Sequence, residues 1–273
     1  MKKRFIEKGI TLVALVVTII TLLILAGVTL NLALSNNGII EKATYASNTM
    51  ANATKTETEE MEEVSRVIDE NTINLPKEYQ RVEYIESTGT QYIDTGKKVE
   101  KYCTIILEAE ANNVDGEGVY AGAYNTYKGF LFGYSTFGGA GLGIATTSTW
   151  KYPSPKIYPE GKKHIFIVNN EGGYIDNVKI SGVTPILNDF NYNIYLFKGN
   201  VFARPSATKI YKYHYYNSNK ELIQNLIPCY YREVVKEASE NEYIKKTAGF
   251  YDIVEGYFLT NNGTGQLIAG PDV

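Results

Sequence analysis

Few side chains in this sequence could do chemistry, and their spacing limits what that chemistry could be. Glu108-Ala109-Glu110 sets two carboxylates two residues apart, which on a β-strand places both on one face. Paired carboxylates hydrolyse glycosides when they stand about 5–5.5 Å apart for retention or about 6.5–9.5 Å for inversion. Here the acidic pattern stops at once, because Ala111, Asn112 and Asn113 follow. The two histidines, His164 and His214, each fall inside a strand-like pattern, so a Ser/His/Asp triad or a histidine metal centre has little material. Cys103 and Cys229 match no metal-ligand spacing. A disulfide between them and two separate buried thiols both fit the sequence. No Gly-rich phosphate loop is present. The acids Glu57, Glu59, Glu60, Glu62 and Glu63 read as a solvated helix face. The expectation is a protein that binds and is not an enzyme.

Composition sets the frame around those residues. In 273 residues, 21 % are charged and 44 % hydrophobic, the balance of a folded chain. A net charge of −3 lacks the basic footprint of a nucleic-acid binder. The 23 Tyr outnumber the 10 Phe, beside 24 Gly and only 8 Pro. Tyrosine favours strands and wet adhesive surfaces, so the bulk reads as β-rich.

An anchor precedes that bulk. Lys2, Lys3, Arg4 and Lys8, against the single Glu7, lead into an uncharged apolar run from Ile10 to Leu30. As a helix this run is about 32 Å long, enough to span a bilayer core. The cations predict a cytoplasmic N-terminus and a single pass, with everything after Leu34 outside. A secretory signal has a shorter apolar region ending at a small-residue site, whereas this run continues through Ala26-Gly27 into Val28-Thr29-Leu30. A plain signal anchor is the other rival. The junction Lys8-Gly9-Ile10-Thr11-Leu12-Val13 resembles the processing site of type IV prepilins and pseudopilins. That likeness covers roughly residues 1–44, including Asn36-Asn37-Gly38-Ile39-Ile40-Glu41-Lys42-Ala43. It implies cleavage by a prepilin peptidase between Gly9 and Ile10, methylation of the new N-terminus, and association with other pilin subunits. The leader carries a formal +3, so its loss would take the chain from −3 to −6. One departure concerns assembly. The family carries Glu at the fifth mature position, and this chain has Ala14. The missing carboxylate would otherwise supply registry between subunits, so a minor or tip subunit, or a chain that only shares the export route, suits the sequence.

The expected organisation is a basic leader at 1–9, a transmembrane pilin-like helix at 10–34, a polar helical stalk and linker at 35–74, and a β domain at 75–273. In the stalk, Met61, Val64, Val67 and Ile68 recur at helical spacing. From Tyr79 onward, short apolar and aromatic runs alternate with Gly, Asn and Pro, the pattern of an antiparallel sandwich. Strands are expected over 81–86, 102–110, 129–134, 142–146, 164–168, 174–180, 209–214 and 222–230. Hairpin turns are expected at Asn169–Gly173 and Asn217–Lys220. Glu233–Lys246 reads as a charged, mobile insertion.

Two terminal motifs sharpen this. Glu83-Tyr84-Ile85-Glu86-Ser87-Thr88-Gly89-Thr90-Gln91-Tyr92-Ile93-Asp94-Thr95-Gly96 resembles the opening of concanavalin A-like/laminin-G-like modules of Gram-positive surface and phage proteins. Leu226-Ile227-Pro228-Cys229-Tyr230, Tyr251-Asp252 through Gly256-Tyr257-Phe258, and Asn261-Asn262-Gly263-Thr264-Gly265 match the close of those modules. The resemblance spans about residues 75–270. It implies a mainly β, two-sheet antiparallel jelly roll whose first and last strands are neighbours. Gly89 and Gly96 are expected to serve turns with positive φ, and Tyr92, Tyr251 and Phe258 to pack. Related glucanases carry a third acid in a Glu-x-Asp-x-x-Glu-like pattern, which Glu108-Ala109-Glu110 lacks. Lectin-like sandwiches bind sugars with loop aromatics and loop carboxylates, sometimes through Ca²⁺. The matching candidates are Trp150, Tyr152 and Tyr127 for ligand, and Asp115, Glu117, Asn188 and Asp189 for the metal. The functional expectation is a pilin-like surface adhesin, held in membrane lipid, displaying this domain outside the cell or in a pilus to bind glycan or protein. A purely structural pilus subunit is the alternative, and a surface glycoside hydrolase is a third reading.

Overall fold

The computed structural model describes residues 4–34, 40–47, 49, 73–112, 117–125, 128–135, 141–146, 149–159, 161–199, 206–236 and 242–273. The chain divides into two compact units, Met1–Asn74 and Leu75–Val273.

In the first unit, helix α1 runs from Arg4 to Leu34. Its segment Leu12–Asn31 is long and apolar enough to cross a membrane, and none of it is buried within the protein. Leu15, Leu22, Leu23, Ile24 and Leu25 are all at least 60 % exposed, which in water would forfeit the main driving force for folding. Three hydroxyls of this helix are self-satisfied. Thr18 donates to the Ala14 carbonyl, Thr21 to the Val17 carbonyl at 2.7 Å and Thr29 to the Leu25 carbonyl at 2.8 Å. That is how a threonine avoids an unpaired donor in lipid. Residues 40–47 are also helical. The Asn36-Asn37-Gly38 motif, the stalk residues Met61, Val64, Val67 and Ile68, and the acids Glu57–Glu63 lie outside the described residues.

The second unit is the expected two-sheet antiparallel sandwich. Its strands are β1 Tyr79–Arg81, β2 Ile85–Thr88, β3 Ile93–Lys98, β4 Thr104–Ala111, β5 Gly118–Asn125, β6 Lys128–Ser135, β7 Gly141–Ala145 and β8 His164–Asn169. They continue with β9 Gly172–Ile175, β10 Val178–Lys179, β11 Asn193–Leu196, β12 Ala207–Tyr216, β13 Leu222–Lys236, β14 Glu242–Asp252, β15 Tyr257–Thr260 and β16 Ile268–Ala269. The larger sheet has the order β10-β9-β8-β4-β12-β13-β14-β15, with β2 paired on β12, β16 on β2 and β1 on β13. The smaller sheet has the order β3-β11-β5-β6-β7.

Alternation produces this packing. On β4, Ile105, Leu107, Ala109 and Ala111 are buried while the residues between them are partly exposed, the signature of a half-buried strand. The core forms where the two inner faces meet. Phe166 of the larger sheet lies 5.2 Å from Tyr120 and 5.6 Å from Phe132 of the smaller one, centroid to centroid. The outer face of the smaller sheet is covered by Trp150. A side-chain carbon at Gly133 or Gly143 would come within about 3 Å of the indole, so those glycines leave room for the ring.

The terminal motifs interlock. Asn262 N–H donates to the Tyr92 carbonyl at 2.8 Å, Asp94 N–H to Asn262 Oδ1 at 2.9 Å, and Thr90 Oγ1 to the Thr264 carbonyl at 3.0 Å. Strand β16 pairs with β2, and Val82 bridges Asp272. First and last strands are therefore neighbours, as the paired motifs imply. Gly89 and Gly96 adopt φ of 105° and 71°.

Three local expectations need correction. The run 81–86 is broken between β1 and β2. The run 174–180 is split into β9 and β10 by Asp176 and Asn177, with φ of 49° and 65°, a left-handed pair that Asp and Asn tolerate. Glu233–Lys246 is not a mobile loop over its described length. It continues β13 and β14 as a ribbon in which Val234 opposes Ile244 and Val235 opposes Tyr243. Those β-branched and aromatic residues outweigh the surrounding charges.

Candidate functional site

Among the described residues, a concavity of about 400 Å³ lies at one end of the larger sheet, lined by Tyr102, Thr104, Asn170, Ser218 and Lys220. Three connections build it: the β3–β4 loop, the β8–β9 turn and the β12–β13 turn. The β3–β4 loop is held from several sides. Tyr215 donates its hydroxyl proton to the Lys98 carbonyl at 2.8 Å and accepts the Glu100 N–H at 3.0 Å. Lys101 N–H donates to Asp189 Oδ1 at 2.8 Å, and Tyr102 N–H to the Ile186 carbonyl at 2.7 Å. So anchored, Tyr102 adopts φ of 56° and leaves its side chain 45 % exposed. A left-handed non-glycine residue costs about 1–2 kcal/mol, and here the restraint fixes an aromatic ring at the rim. Opposite, Asn217 Oδ1 accepts the N–H groups of Asn219 and Glu221 at 2.9 and 3.0 Å. That turn sets Lys220 at φ 65°. The lining offers one aromatic ring, three hydroxyls including that of Tyr102, an amide and an ammonium. Such a set can stack on and hydrogen-bond a polyhydroxyl or peptide ligand.

Glu108 and Glu110 do share the outer face of β4, as the spacing predicts. Both are already engaged. Glu110 accepts from Lys209 Nζ at 3.0 Å and from the Tyr211 hydroxyl at 2.8 Å, and Lys163 Nζ stands 3.5 Å from Glu108. Lys163 also lies 4.6 Å from the Tyr211 ring and Lys209 4.9 Å from the Tyr84 ring, and the two rings meet edge to face at 5.3 Å. Burial, then the hydrogen bond to Glu110, pushes the Tyr211 phenol far above its ordinary range. The Glu110 contact raises the Lys209 ammonium as well. This strip is a mutually neutralised network of aromatic and charged groups.

The other expected site residues are dispersed. Trp150 packs against Val119, Tyr124, Leu131 and Ala145. Tyr152 is partly buried, with its ring against Gly141 and Gly143 and the Lys156 ammonium 5.9 Å away. Glu117 accepts from Ser135 Oγ at 2.9 Å. Asp189 supports the Tyr102 loop, and the neighbouring Asn188 is exposed. Tyr127 and Asp115 lie outside the described residues. Among the described residues, no group of three His, Cys, Asp or Glu side chains is arranged to hold a metal ion. Gly9 and Ile10 lie within α1.

Cys103 and Cys229 are free and fully buried, and burial pushes each thiol up to about 12. Sequence reasoning missed two features. The positive φ of Tyr102 leaves no mark in residue type. His164 Nδ1 meets Asp176 Oδ2 at 2.7 Å, a pair created by the tight turn after β9 that the sequence reading had taken as continuous strand.

No protein-family model matches this chain. No curated protein matches it either.

Proposed function

We propose that this chain is a surface protein held in the membrane by α1, with its cytoplasmic end at the basic leader and its sandwich displayed outside to bind glycan or protein. The carrying observation is the apolar segment Leu12–Asn31, none of which is buried within the protein. Lipid is the natural cover for such a helix, and the cations at Lys2, Lys3, Arg4 and Lys8 favour the cytoplasmic side. The Gly9-Ile10 junction supports processing and export by a prepilin-type route. The concavity around Tyr102 supports a binding role, because its groups can recognise hydroxyls and amides. The Glu108/Glu110 strip supports the non-catalytic reading, since both carboxylates have partners.

Mass-spectrometric N-terminal sequencing of protein from native membranes tests the route. An N-terminus at Ile10 agrees with it. An intact Met1, or a cut after Gly27, contradicts it. Glycan- and peptide-array binding by the full chain in detergent tests the binding role, which fails if no array element is retained above background.

A further inference from the structure

In the ribbon formed by the outer parts of β13 and β14, the β14 edge is open among the described residues. Strand β15 covers β14 only from Gly249 to Asp252. It ends at Thr260, whose hydroxyl donates to the Ala248 carbonyl at 2.9 Å. Beyond that point, no described strand lies beside Tyr243–Thr247. The β13 side is covered farther toward the tip, as far as Arg232. There β1 pairs as far as Tyr231, and Arg232 donates its N–H to the Glu78 carbonyl at 2.9 Å and its guanidinium to the Lys77 carbonyl at 2.6 Å. Pairing between β13 and β14 is unbroken from Leu226↔Asp252 to Lys236↔Glu242, with no bulge to twist the edge away, and no proline lies in Glu242–Thr247. An unpaired edge of this kind is a template for another strand. The apolar side chains are exposed as well: Val234 by 63 %, Ile244 by 59 % and Tyr243 by 47 %.

We infer that the β14 edge pairs with the same edge of a second copy of this chain, antiparallel and centred on Ile244. The residues themselves select the occupant. In a two-fold antiparallel pair the axis passes between one residue and its own copy, so choosing that residue fixes the register. Lys245 or Lys246 at the axis would set ammonium against ammonium, and Tyr243 there would set Glu242 against Ile244 of the second copy. With Ile244 at the axis every pair is complementary. Ile244 faces Ile244 of the second copy, Tyr243 faces its Lys245, and Glu242 faces its Lys246, each pair occurring twice by symmetry. Alternation then puts Val234 and Ile244 of both copies on one face as a continuous apolar strip. A Glu242–Lys246 ion pair flanks the strip on each side. The other face sets a lysine against each tyrosine ring, a favourable cation–ring contact.

Cysteine scanning of the full chain in membranes tests this register. Directly opposed residues have Cα atoms about 4.5–5.5 Å apart, inside the disulfide range of about 4.4–6.8 Å. Ile244→Cys should therefore cross-link to its own copy under mild oxidation. Lys245→Cys alone should not, whereas mixing Lys245→Cys with Tyr243→Cys should give the mixed dimer. Cys103 and Cys229 are fully buried and give no background. In detergent, light scattering should find the native chain dimeric. Reversing Lys246→Glu should weaken the dimer about tenfold, and adding Glu242→Lys should restore it. A monomeric native chain, absence of the Ile244→Cys dimer, or equal cross-linking by Lys245→Cys would overturn the inference.

Discussion

Replacing Gly263 with alanine tests whether the closure between the two ends of the sandwich chain depends on the absence of one methyl group. A Cβ at this position would stand 2.3 Å from the Thr90 carbonyl oxygen and 3.1 Å from both Gln91 Cα and Tyr92 Cδ1. The closest of these is backbone, so it cannot rotate aside. Segment 261–265 must withdraw by roughly 1 Å from the Thr90–Tyr92 backbone it packs against, to restore ordinary contact distance. That withdrawal strains the Asn262 N–H bond to Tyr92 at 2.8 Å, the Thr90 hydroxyl bond to Thr264 at 3.0 Å and the Thr264 N–H bond to Thr90 at 3.4 Å. At about 0.5–1.5 kcal/mol each, losing most of them costs about 3 kcal/mol. In a domain of this size that corresponds to a fall in Tm of roughly 6–12 °C. Gly161→Ala is the comparison. Its φ is +67° and nothing lies within 4 Å, so only left-handed strain applies, about 1 kcal/mol and roughly 2–4 °C. Circular dichroism melts of the full chain in detergent read both. If Gly263→Ala melts within about 2 °C of the native chain, or Gly161→Ala falls farther, the steric reasoning is wrong.

Other consequences can be measured on the same material. Tyr102→Ala should weaken any array ligand at least about tenfold while leaving the melting temperature unchanged or raised, because it removes the ring and no core contact; undiminished binding moves the site elsewhere. Native protein should be silent towards a thiol reagent at pH 7.5 and should titrate two thiols once unfolded; no reaction after unfolding would mean a disulfide. Because both folded thiols sit at about 12, above the ordinary value of 9.0, their contribution is complete below about pH 9 and is lost as pH rises toward 12, a drop of several kcal/mol. Denaturant titrations across that window should show the loss, with a shallower slope in Cys229→Ala; stability flat from pH 8 to 11 would contradict it. Glu110→Gln should destabilise the domain by about 1–3 kcal/mol, since it leaves Lys209 without its carboxylate, and chemical denaturation reads the change.

The architecture was legible in the sequence where side chains alternate. The β4 run shows its buried and exposed faces residue by residue, and the paired end motifs announce neighbouring terminal strands. The Asn217–Lys220 and Asn169–Gly173 turns were legible through Asn and Gly, whose chemistry specifies turns. What failed was whatever depends on a partner strand. Val234-Val235 and Tyr243-Ile244 support each other only once paired, and charged neighbours masked them. Asp176-Asn177 is a turn without glycine, so it read as strand. Trp150 and Tyr152 pack over Gly133, Gly141 and Gly143, partners distant in sequence that residue type alone does not announce. The Tyr102 loop was invisible because its left-handed backbone is imposed by Asp189, Ile186 and Tyr215.

Alkaline carbonate extraction of native membranes decides whether α1 lies in lipid. Carbonate strips peripheral proteins and leaves chains whose helices lie in lipid. The full polypeptide should stay in the pellet, with release into the supernatant only when residues 10–34 are deleted. Recovery of the intact chain in the soluble fraction before any detergent is added would contradict it.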